Sequence, residues 1–321
     1  MFDQPVRSRD EQIAWELSRR ARVGVLAVGA GILYELSASI LSAVLKSVPS
    51  VGLLQGLSPA LQGVAVPTTS PGVAEVRFIS SHAFGTIAGS LIAAISVFLT
   101  VVAFSFLAQA TTFRRPQSFR AARLLLIVGG FGFAFLSVAH EVINAIESHQ
   151  FVNGHDFSDS AVQHAISTNT PTVITTYLDV VVALAYAVGI GIVSVNAMRV
   201  GLLPRLLGFV GVAAAFLFVL PLPLQLLTAL WLAGVGFLLF GRWPGGDPPA
   251  WESGEARPWP TAAERRMQAG GDGDRPPPRR GLFGGRGAPA SSAPAAAVAD
   301  APPEPLAPPH PRSNKRKRRR R

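Results

Sequence analysis

Two long apolar runs, residues 124–143 and 173–198, are joined by a connection that contains no Lys and no Arg. Runs of about 20 apolar residues match the roughly 30 Å hydrocarbon thickness of a bilayer, because a helix rises about 1.5 Å per residue. Four further runs, 23–45, 83–107, 206–220 and 224–240, repeat the pattern. In hydrocarbon every backbone N–H and C=O must be satisfied within the chain, which leaves helices as the spanning structure for runs of this length. The expected fold is therefore all-α: a polytopic membrane bundle of six transmembrane helices. Only 15% of the residues are charged and mean hydropathy is +0.35, against about 25% charged in ordinary soluble domains.

The last two runs are short and share the link Pro221-Leu222-Pro223. They are read as spans with little margin, with a re-entrant hairpin as the alternative.

Arg and Lys placement gives an orientation. Arg7, Arg9, Arg19, Arg20 and Arg22 precede the first run, Arg114, Arg115, Arg120 and Arg123 lie between the second and third, and Arg199 and Arg205 between the fourth and fifth. The alternate connections hold only Lys46 and Arg77, then none, then none. The positive-inside rule then puts both termini in the cytoplasm and the protein in the plasma membrane. Residues 1–21 form a cytoplasmic segment, 22–241 the transmembrane domain and 242–321 a tail. In the first segment Asp10 is expected to cap a short helix with Ile13, Trp15 and Leu17 on the membrane surface and Arg19, Arg20 and Arg22 as anchors. A cleavable signal peptide is not expected, since the charged region is long and no small-residue cleavage pattern follows a short apolar segment.

The tail carries most of the net charge. Of the formal +10, residues 241–321 supply +8. Rich in Pro, Gly, Ala and Arg and without apolar periodicity, the tail is expected to be disordered, with Trp243, Trp251 and Trp259 running along the inner headgroup layer. It closes on Lys315, Arg316, Lys317, Arg318, Arg319, Arg320 and Arg321. Such a run suits an anionic leaflet or a polyanion such as RNA.

Polar groups inside apolar runs are costly and must face protein or water. Glu35 lies about midway between Arg22 and Lys46. His82 heads a small-residue stripe with Gly85, Gly89, Ala93, Ser96 and Thr100, a pattern that favours close helix packing. His140 and Glu141 end the third run, Glu141 on a face shared by Gly130, Ala134, Ser137 and Asn144 and His140 about 100 degrees round the helix from it, and Asp179 sits inside the fourth. Glu35, His82, His140, Glu141 and Asp179 are the candidate ligand or ion residues. With Cys absent and no His-Glu-x-x-His spacing, no metal site, cofactor or catalytic set is assigned.

Leu203-Pro204-Arg205-Leu206-Leu207-Gly208, Leu230-Trp231-Leu232 and Gly236-Phe237, followed by Gly241-Arg242-Trp243-Pro244-Gly245-Gly246 and Pro248-Pro249-Ala250-Trp251, resemble the end of a bacterial family of six-pass integral-membrane proteins whose domain has no assigned function. The likeness covers about residues 20–260. It implies membrane location and span number and supplies no catalytic residues.

The functional expectation is a non-enzymatic membrane protein that binds or moves a small ligand or ion at an outward-facing polar pocket. The alternatives are a membrane-embedded hydrolase or transferase using His140, Glu141 and Asp179, and a scaffold whose basic tail recruits anionic lipid or nucleic acid.

Overall fold

Ser8 starts the first helix. Its hydroxyl accepts from the Glu11 N–H while the Glu11 carboxylate accepts from the Ser8 N–H at 2.9 Å, a reciprocal cap that satisfies two donors left open at a helix start. The cap is thus Ser8, not Asp10. From it α1 runs unbroken over Arg9–Leu45, so the expected separate surface helix is the first turns of the first long helix. The computed structural model describes residues 8–49, 61, 63, 70–116, 120–218, 225–244 and 246–259. The cationic run 315–321 lies entirely outside the described residues.

Helix α2 spans Val73–Arg114 and stops where Arg115 takes an extended conformation before Pro116, as a residue preceding proline must. Helix α3 covers Arg120–Asn153. A short α4, Asp159–Gln163, passes into a wide turn, His164–Thr168. Helix α5, Thr170–Val200, is capped by Asn169, whose side chain accepts from the Thr172 N–H at 2.8 Å. It ends on Gly201 in the left-handed region. Helices α6, Arg205–Leu217, and α7, Gln225–Leu239, are shorter, and α8, Pro249–Ser253, is a single turn.

Four helical segments are long and apolar enough, by length and composition, to cross a membrane: those built on α1, α2, α3 and α5. Large apolar side chains such as Val25, Ile32, Phe84, Phe135 and Leu184 are exposed around them. A continuous apolar exterior of this kind is what a lipid-facing surface requires. With 13 and 15 residues, α6 and α7 reach only about 20 and 23 Å. At the far end of α6, Phe218 meets the rings of Tyr34 and Tyr186 at 5.6 and 5.1 Å, level with the centre of the apolar run 23–45. Where six spans are expected from the sequence, the described residues give four long helices and two shorter ones that pack on each other.

The helices close into a ring. Going round, α1 packs on α2, α2 on α3, α3 on α5, α5 on α6, α6 on α7, and α7 back on α1. Small residues set the close approaches, as expected where lipid gives no hydrophobic drive between helices. A Cβ on Gly31 would come within 2.7 Å of the Ala229 carbonyl, and one on Gly189 within 2.6 Å of the Leu126 nitrogen. Ser96 and Ser37 tie α1 to α2 by donating to the carbonyls of Ala30 and Gly89, each at 2.8 Å.

The connection after α3 is helical and packed. Phe151, Val162 and Ala165 form a small core with Val73 and Val76 at the start of α2, and Arg77 lies over the Phe157 ring at 5.3 Å. Asp156 accepts from the Ser158 N–H at 3.0 Å. This bond and a second from the Ser158 hydroxyl hold its carboxyl below the usual carboxylate range.

At the opposite end the structure corrects the tail boundary. Residues 246–259, expected to be disordered, form a strap docked on the bundle. Arg114 grips Glu16 with two 2.7 Å bonds and donates to the Ala250 carbonyl. Arg20 is not a surface anchor: it reaches inward to Asp247 at 2.7 and 3.0 Å and to the Leu238 carbonyl at 2.8 Å. Trp251 is buried rather than lodged in a headgroup layer. It stacks parallel to Phe106 and donates to the Leu202 carbonyl at 3.1 Å, with the Arg20 and Arg114 guanidinium groups over its ring. Beyond it, Arg257 N–H donates to the Val200 carbonyl and Arg9 pairs with Glu255 at 2.8 Å.

Candidate functional site

The antiparallel contact of α3 with α5 positions the site. Glycines bring the two helices together near their middle: a Cβ on Gly129 would run into the Tyr186 backbone, and one on Gly132 would meet the Val182 side chain at 2.8 Å. The same register continues outward, one helical turn at a time. Ser137 then faces Asp179, donating to its Oδ1 at 3.5 Å, and His140 faces Thr175, its Nδ1 lying 3.4 Å from Oγ1. Thr175 donates its own proton to the Pro171 carbonyl at 2.9 Å, which leaves the hydroxyl oxygen as the acceptor for a proton on His140 Nδ1. His140 also lies near Asp179. One turn further out, Asn144 Oδ1 and Thr172 Oγ1 are buried without a hydrogen-bond partner among the described residues.

Inward of Ser137 the interface opens into a cavity of about 100 Å³. Its aromatic walls are Tyr34 of α1, Phe133 of α3 and Phe218 beyond the end of α6; Ala93, Ala94 and Val97 of α2 and Ala134 of α3 supply the aliphatic surface. Ser137 lines this cavity as well as bonding Asp179. The site therefore has a polar rim of Ser137, His140, Thr175 and Asp179 above an apolar chamber.

Of the five residues singled out from the sequence, two come together, His140 and Asp179. Glu141 is the next residue along α3 and makes no hydrogen bond among the described residues. Glu35 lies one turn beyond Gly31 on the face of α1 that packs on α7, with Oε2 buried and without a partner among the described residues; it does not line the cavity. His82 is exposed on α2, stacked on Phe78 at 3.9 Å, with its Nδ1 3.0 Å from the Phe78 carbonyl. Its ring thus lies along its own helix. His149, His155 and His164 are exposed, and among the described residues no three His, Asp or Glu side chains gather where a metal could sit.

Compared with known protein families, curated proteins and solved structures, the chain finds no match. The site is therefore argued from its own chemistry.

Ser137, Thr175 and Tyr34 are the site residues that the sequence reading did not select. Each carried a signal. Ser137 lies three residues before His140, Thr175 four before Asp179, and Tyr34 beside Glu35, so the first two share helix faces with groups already suspected.

Proposed function

We propose that this chain is a multi-pass membrane protein with both termini in the cytoplasm that binds a cationic ligand at an outward-facing pocket between α3 and α5. It takes four full-length helices across the bilayer and inserts α6 and α7 as a hairpin from the cytoplasmic side. The observation that carries the ligand reading is Asp179. Its carboxylate receives one long bond from Ser137, has His140 nearby, and forms no salt bridge among the described residues. A carboxylate kept partly out of water without a fixed cation is a ready partner for a mobile one.

The surrounding field favours the same sign of ligand. Within residues 46–82 and 140–179 there are six carboxylates, Glu75, Glu141, Glu147, Asp156, Asp159 and Asp179, against Lys46 and Arg77. Negative potential at a pocket mouth concentrates cations. Binding rather than hydrolysis is supported by the bonding pattern. A Ser-His-Asp relay needs the imidazole between the hydroxyl and the carboxylate, whereas Ser137 bonds Asp179 directly and His140 bonds Thr175.

The test is a titration of purified full-length protein in detergent with sodium, potassium and methylammonium chlorides, followed by thermal unfolding. At least one cation should raise the transition temperature in the parent protein and in Glu141→Gln, and leave Asp179→Asn unmoved. Equal responses in all three proteins would refute the assignment.

A further inference from the structure

We infer that the ligand is a small organic ammonium, its charged head on Asp179 and its apolar body in the chamber beneath Ser137. This rests on the cation reading above and adds the chemical class of the ligand. The deciding feature is that Ser137 belongs to both parts of the site: it donates to Asp179 Oδ1 and it lines the cavity. A molecule held at the carboxylate therefore has the chamber directly inward of it.

The chamber suits a hydrocarbon and not a bare or hydrated ion. Tyr34 and Ser137 bring the hydroxyls in its lining; the rest is Ala, Val and Phe. An inorganic cation driven into it would lose its water and find too few oxygens to replace it. An alkyl chain loses nothing there, and the aromatic faces of Tyr34, Phe133 and Phe218 also attract the carbon atoms next to an ammonium, which carry part of its charge. Size sets the limit. An apolar cavity of about 150 Å³ takes up benzene, so a chamber of about 100 Å³ fits a chain near butyl in length. Two groups give the head its partners: the Asp179 carboxylate and the Ser137 hydroxyl oxygen.

The experiment is calorimetric titration of the full-length protein in detergent with methylammonium, n-butylammonium and n-decylammonium chlorides. Each buried methylene should tighten binding up to about fourfold, so n-butylammonium should bind at least about tenfold more tightly than methylammonium. The gain per methylene should fall off between butyl and decyl as the chamber fills. Ala134→Leu fills the chamber from α3 and Ala94→Leu fills it from α2. In either variant the butyl advantage should shrink to less than about threefold while methylammonium affinity is retained, and Asp179→Asn should remove binding of both amines. Methyl and butyl binding equally in the parent, both lost in Asp179→Asn, would overturn the chamber and leave the cation site standing. Amines and inorganic cations all failing to bind, or binding equally to Asp179→Asn, would overturn the cation reading itself.

Discussion

Arg114 and Glu16 meet head to head at 2.7 Å across 98 residues of sequence, and their side chains are 0% and 2% exposed. Two charges so thoroughly removed from water are tolerable only as a pair, and the Ala250 carbonyl takes up further Arg114 protons. The pair joins the first helix, the second helix and the strap behind α7 at one end of the bundle.

Breaking the pair from one side should therefore cost more than replacing it. Glu16→Ala leaves a buried guanidinium without its counter-charge, a defect of about 3–5 kcal/mol, whereas a well-packed apolar substitute for both partners is often neutral. The double variant Glu16→Leu, Arg114→Met should accordingly recover most of the stability that Glu16→Ala loses, measured by denaturant unfolding in micelles. A double variant no more stable than the single one would show that the charges themselves are not what couples these helices.

The strap makes a sharp prediction for truncation. A chain ending at Pro260 keeps Asp247, Ala250 and Trp251 and should melt with the full-length protein. A chain ending at Gly241 loses the Arg20–Asp247 pair and the Trp251 contacts and exposes Arg114. A loss of a few kcal/mol in a domain this size corresponds to a drop on the order of 10 °C. Coincident melting of the two truncations would return residues 242–259 to the status of a passive tail.

Gly201 bears on the same strap from the other side. It ends α5 at φ 85° and an added Cβ would run into the Arg257 carbonyl, so Gly201→Ala meets both left-handed strain of roughly 1–2 kcal/mol and a backbone collision. In the chain cut at Gly241 the collision partner is gone. The substitution should then cost measurably less than in the full-length protein, a coupling that a double-mutant cycle reads directly. Equal costs in both backgrounds would mean that Arg257 is not seated there.

The apolar runs made the long helices legible, because a run of hydrocarbon side chains has few structural options in a bilayer. Their ends were not, since polar extensions held by caps and tertiary contacts look like connections. Ser8 and Glu11 carried a readable capping pattern, yet nothing local shows that of Arg19, Arg20 and Arg22 only Arg20 finds an inward carboxylate. The Pro- and Gly-rich strap reads as disorder because Arg20, Phe106 and Arg114, which hold it, are more than a hundred residues away in sequence. At the site, His140 and Asp179 were visible as interruptions of apolar runs. Glu35 and His82 were equally visible but turn elsewhere, because sequence alone does not say that α3 pairs with α5 while the Gly31 face of α1 meets α7.

The depth of the α6–α7 hairpin is open to direct measurement because the chain contains no cysteine, so each introduced thiol is the only one. Ser47→Cys and Ser160→Cys lie at exposed positions beyond Leu45 of α1 and Asn153 of α3 and, in the proposed orientation, should react with an impermeant maleimide in intact cells. Ser18→Cys, exposed near the opposite end of α1, should react only after permeabilisation. Gln225→Cys, exposed at the start of α7, separates the topologies. Arms of about 20 and 23 Å, with Phe218 at the end of α6 level with Tyr34 at the centre of the apolar run 23–45, put that thiol within the hydrocarbon if the proposed hairpin holds, where the impermeant reagent reaches it from neither side and a lipophilic maleimide does. Reaction of Gln225→Cys in intact cells at the rate of Ser47→Cys would instead establish two further full crossings, and the chamber floor formed by Phe218 would then have to be redrawn.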